Sequence, residues 1–110
     1  MAKNQATLTG INRTFEVHER ARPFTLKDNG FKETRRGNFE LTRTFPTSHP
    51  QGLVLKILID EKLENLRIST VSSNGLNTID VTKLNHNEEL LEELNFFFHG
   101  LVDSRVLSEV

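Results

Sequence analysis

Apolar and polar residues alternate in several short runs before giving way, near the C-terminus, to a helical stripe. The clearest alternation runs from Leu53 to Asp60 and sets Leu53, Leu55, Ile57 and Ile59 on one side, because successive side chains of a strand point to opposite faces. Leu66 to Ser73 repeats the pattern with Leu66, Ile68 and Thr70. Asn74-Gly75 then supplies the dipeptide that a two-residue type I′ turn prefers. Counting back from that turn pairs Thr70 with Ile79 and Ile68 with Val81. Turn chemistry and apolar pattern therefore agree on an antiparallel meander.

Upstream, Phe31 to Phe45 predicts a hairpin about Arg35-Arg36-Gly37. A three-residue loop needs positive φ at its last position, which glycine adopts at no steric cost. The register sets Phe31 opposite Leu41 and Lys32 opposite Glu40, an apolar pair on one face and an opposite-charge pair on the other. Weaker strands are expected at Ala6–Thr9 and Thr14–His18. Between these and the hairpin, Thr25 and Asp28 have the spacing of a capping box. They predict a helix of one or two turns with Leu26 inward and Gly30 in the left-handed position that closes it.

The last element opens at Asn85, with Glu88 three residues on as in a capping box. Leu90, Leu91, Leu94, Phe97, Phe98, Leu101 and Val102 form one stripe, and Glu88, Glu89, Glu92 and Glu93 line the outside. Apolar burial is worth about 25 cal/mol per Å², so this stripe is expected on the apolar face of the sheet. Gly100 predicts a kink or an end, after which Asp103 caps a short turn carrying Val106 and Leu107. The fold class is α+β: an antiparallel meander covered on one face by a long C-terminal helix, with a short N-terminal helix, as one domain over residues 1–110.

Composition narrows the chemistry. The 110 residues include eight Phe but no Cys, Trp or Tyr. Without cysteine there is no disulfide framework, thiolate nucleophile or sulfur-ligated zinc. The N-terminus lacks the apolar stretch of a signal peptide, and no apolar run reaches spanning length, so a cytoplasmic location without membrane contact is expected. The net charge of −1 divides into +4 over residues 1–45 and −5 over residues 46–110.

Catalytic motifs are missing. The four histidines, at 18, 49, 86 and 99, show no metal-binding spacing. Only His49, in the proline-flanked loop Pro46–Gly52, is kept as a candidate ligand contact. The paired glutamates read as a solvated helix face, since carboxylate metal sites draw on several facing helices. No cofactor is expected. Arg35 and Arg36, with Arg43 further along, form a basic patch that offers an alternative function, nucleic-acid binding. The missing aromatic interleaving and the acidic net charge argue against it. Val54, Leu58 and Val71 fall on the face away from the helix. They need cover from the first thirty residues, a ligand or a second copy of the chain.

The run Phe24-Thr-Leu-Lys-Asp-Asn-Gly-Phe-Lys-Glu-Thr-Arg-Arg-Gly-Asn-Phe-Glu-Leu-Thr-Arg43, the turn Ser72-Ser73-Asn74-Gly75-Leu76 and the helical Glu93-Leu94-Asn95-Phe96 resemble a small bacterial family of unknown function labelled for amino-acid metabolism. The resemblance implies an α+β fold like the curved-sheet TATA-binding-protein class, and a ligand-binding role. The matched polar positions are Thr25, Lys27, Asp28, Asn38, Arg43 and Asn74. Thr25 and Asp28 are explained as caps, and Asn38 and Asn74 as turn residues. Lys27 and Arg43 remain for the anionic group of a small metabolite. By the two-residue period Arg43 shares the core face with Phe39, Leu41 and Phe45. It must therefore reach water, pair with Asp28 or Glu33, or hold a ligand. The expected function is small-ligand or partner binding as an accessory in amino-acid metabolism.

Overall fold

The computed structural model describes residues 5–8, 13–45, 53–72, 78 and 88–110. Strands β1 (Ala6–Leu8) and β2 (Arg13–Val17) precede helix α1 (Pro23–Asp28). Strands β3 (Lys32–Glu33), β4 (Phe39–Phe45), β5 (Leu53–Ile59) and β6 (Leu66–Val71) follow. Helix α2 (Glu88–Asp103) and strand β7 (Leu107–Glu109) complete the order. The architecture is mixed α+β, with two antiparallel sheets in the orders β1-β2-β7 and β3-β4-β5-β6.

The four-stranded sheet is the meander expected from the alternating pattern. Lys32 pairs with Glu40 in the β3–β4 hairpin, and Gly37 takes φ of 85° at the tip. Across β4, β5 and β6, Phe39, Ile59 and Leu66 share one row, and Leu41, Ile57 and Ile68 the next. Val71 bridges Thr78, the same register as the expected pairing of Thr70 with Ile79. The rest of that hairpin, including Asn74, lies outside the described residues, as do the Asn85 cap and the loop containing His49.

Helix α1 starts earlier than the Thr25 cap implies. Proline has no N–H to lose and its fixed φ suits the first helical turn, so Pro23 opens the helix and Arg22 is its N-cap. Thr25 becomes the third helical residue, and its Oγ1 accepts the Arg22 N–H at 3.4 Å. Asp28 is the last helical residue rather than part of an N-terminal cap. Gly30 closes the helix at φ of 96°, and the Phe31 N–H donates to the Leu26 carbonyl at 3.0 Å. Leu26 and Phe31 are both buried, the apolar contact that accompanies this C-terminal motif.

Two further differences concern the chain ends. The N-terminal strands build a second sheet, in which β2 pairs with β7, and β1 lies against β6. Residues 107–109 are a strand and not part of a capped turn, because Val17 offers Leu107 an antiparallel partner. Helix α2 also runs through Gly100 to Asp103. Arg105, at φ of 62°, turns the chain from α2 into β7.

The buried side chains of both sheets and α2 form one hydrophobic cluster. Phe15 and Phe98 are fully buried and stack at 4.8 Å between centroids. Arg13 clamps the same region: its Nε and Nη2 donate to the Glu109 carboxylate at 2.9 Å each, and its Nη1 donates to the backbone and side-chain oxygens of Asn95. This hydrogen-bonded guanidinium holds the Glu109 carboxyl below its usual range. Phe98→Ala should cost ~3–5 kcal/mol in chemical denaturation, and Phe97→Ala clearly less, because Phe97 is only half-buried. Equal losses would contradict this packing.

A second folding device lies between β5 and β6. Asp60 Oδ1 accepts the N–H groups of Glu64 and Asn65 at 2.8 and 2.9 Å, and its Oδ2 accepts the Asn65 Nδ2. Burial alone would raise the Asp60 pKa, but these hydrogen bonds and the Lys62 charge outweigh it and lower the pKa. A carboxylate with a depressed folded pKa stabilises fully above its unfolded pKa and loses that contribution as pH falls through the folded one. Asp60→Ala should cost about 1–2 kcal/mol at neutral pH, on the scale of a lost cap. The gap to wild type should shrink in urea titrations at about pH 3, below the ordinary carboxylate range. A gap independent of pH would contradict the role.

Candidate functional site

Between α1, β4 and α2 lies an open groove of about 900 Å³, within the range of small-molecule pockets. Its existence follows from the sheet order. Strand β3 covers only two residues of β4, so beyond Leu41 strand β4 has no neighbour on that side among the described residues. Arg43 sits there, on the inner face opposite Leu55, yet it is exposed. The two-residue period put it on the core face correctly, and the edge position lets its charge reach water.

Arg43 is held by rings. Its guanidinium carbon lies 5.6 Å from the Phe45 centroid and 5.1 Å from that of Phe97, and Phe45 meets Phe97 edge-on at 6.0 Å. Such contacts are worth ~0.5–1 kcal/mol at exposed sites and leave the N–H donors in the ring plane free. Among the described residues Arg43 makes no ion pair. Glu33, one expected partner, instead lies 3.6 Å from Lys27. Asp28, the other, lines the same groove without closing on Arg43.

Helix α2 forms the long wall. Glu93, Phe97, Gly100 and Leu101 follow helical spacing along it, with Glu92 and Phe96 at their side and Ser104 just past its end. Phe96 is 80% exposed. Asn29 supplies part of the opposite wall, its own amide donating to the Thr25 carbonyl at 2.8 Å.

The structure thus brings Arg43 and Asp28 together and leaves other candidates elsewhere. Lys27 points to β3, where it meets Glu33, and Thr25 serves the helix start. Asn38 is a structural link: its Oδ1 accepts the Glu61 N–H at 3.1 Å and ties two turns together. Arg35 and Arg36 are exposed at the hairpin tip and line no part of the groove. His49 and Asn74 lie outside the described residues. On the other sheet face Val54, Leu58 and Val71 are each half-buried, with exposed Lys56, Arg67 and Ser69 among them.

The sequence reading missed Glu93 and Phe96. The helical pattern sets Glu93 on the solvated face, but it is half-buried in the groove wall. Phe96 lies off the apolar stripe, and a large aromatic away from the core side was the available signal. Among the described residues no cluster of His, Asp or Glu could hold a metal, and no helix is long and apolar enough to cross a membrane.

The model of the DUF1831 family, described as "Putative amino acid metabolism", matches residues 1–108. A crystal structure of a DUF1831 family protein from Lactobacillus plantarum superposes with a TM-score of 0.84 at 24% identity, covering 100% of this chain and 99% of that one. That likeness shows the fold. No curated protein matches the chain. With nearly its whole length matched, the chain belongs to the DUF1831 family.

Proposed function

We propose that this protein binds a small metabolite in the groove between β4 and α2, as an accessory in amino-acid metabolism. The observation that carries the reading is Arg43, a guanidinium braced on two phenylalanine rings and facing a groove without a carboxylate partner among the described residues. A planar fork of donors fixed in this way suits a carboxylate or phosphate oxygen pair. The family description supports the metabolic theme, and the proposal sets the protein in the cytoplasm, where free amino acids are processed. Lys27 is not part of the proposed site, since its ammonium is engaged with Glu33.

A thermal-shift and calorimetry screen of amino acids, nucleotides and other small acids against wild type and Arg43→Met tests the proposal. A ligand at a hundredfold excess over its Kd stabilises the folded state by about 2.7 kcal/mol, enough for a clear rise in Tm. The variant should fold as wild type does and lose the rise. A ligand that stabilises both proteins equally, or the absence of any hit, would contradict the site.

A further inference from the structure

We infer that the ligand of this groove is a zwitterion, a free α-amino acid with a bulky apolar side chain. The inference rests on the ligand-binding reading above and deepens it. Arg43 is the one cation in the described groove lining, against three carboxylates: Asp28, Glu92 and Glu93. A simple anion would gain from Arg43 and lose to three like charges around it. An ammonium group beside the carboxylate turns that field from repulsive to attractive.

The spacing along α2 agrees. Arg43 lies over Phe97, and Glu93 precedes Phe97 by four residues, one turn or ~6 Å along the axis. An α-amino acid carries its charged groups on a single carbon. With a charge-assisted hydrogen bond of about 2.8 Å at each end, such a molecule spans a cation and an anion roughly one turn apart. Glu93 is half-buried, so its attraction for an ammonium is less screened than that of exposed Glu92. The third requirement is apolar cover. Phe96, 80% exposed, borders the same groove, and burying its ring against a leucine- or phenylalanine-sized side chain is favourable.

Calorimetry with L-phenylalanine, L-leucine, 3-phenylpropanoate and phenethylamine tests this on wild type, Arg43→Met and Glu93→Gln. The amino acids should bind wild type, and each one-charge analogue should bind about ten- to a hundredfold more weakly, the range for a lost charged hydrogen bond. Glu93→Gln should weaken the amino acids and leave 3-phenylpropanoate no weaker, since one of the charges that repel a simple anion is gone. Arg43→Met should weaken both, and leave phenethylamine no weaker, because the like charge that repels its ammonium is removed. If 3-phenylpropanoate binds as tightly as phenylalanine and still requires Arg43, the zwitterion inference fails and the ligand site stands. If neither amino acid binds at millimolar concentration while another acid binds through Arg43, the inference again fails alone. If no acid binds at all, both readings fall.

Discussion

The stack of Phe98 on Phe15, 4.8 Å between fully buried rings, fixes where α2 can lie, and the rest of the molecule depends on that placement. The contact joins the helix to the smaller sheet. Leu94 and Leu101, buried on the same side of the helix, carry the shared core onward. Arg13 reinforces the joint from the surface by binding Glu109 and Asn95 together. With α2 held in this way, its next face meets β4 through Phe97 and Phe45, where β4 has no further strand beside it among the described residues. A helix seated over a sheet edge leaves a groove, and Arg43 stands at its lip.

That arrangement explains why an arginine is tolerated on the inner face of a strand. Opposite Leu55 and in the middle of a covered sheet, a guanidinium would need a buried partner. At the edge it keeps its charge in water while its flat face rests on two rings. The same position frees it to receive a ligand. Gly100, on the groove wall, has open space where a side chain would start, so the wall is lower there than an alanine would make it.

Much of this fold was legible in the sequence because local rules and apolar pattern agreed. Gly37 fixed the β3–β4 register, and the alternation in β5 and β6 named the buried face. The Thr25–Asp28 spacing alone puts the start of α1 too late, because Pro23 at the first helical position outweighs it. The second sheet was not legible, since β2 and β7 are short and their pairing joins Val17 to Leu107, a contact between chain ends that no local signal encodes. For the site, periodicity singled out Arg43 by its conflict with the core face. It could not see that Lys27 turns toward Glu33, or that Glu93 belongs to a groove wall, because both depend on how α1 and α2 dock.

The central claim is that the α2–β4 groove is the ligand site. Chemical-shift mapping by NMR, with L-phenylalanine titrated into the isotope-labelled protein, tests it most directly. The account predicts that the perturbed signals cluster at Asp28 and Asn29, at Arg43 to Phe45, and from Glu92 on α2 to Ser104 just beyond it, with the Arg43 side-chain Nε signal moving most. Perturbations centred instead on the Arg35-Arg36 hairpin tip, or on Lys56, Leu58 and Arg67 across the sheet, would contradict it.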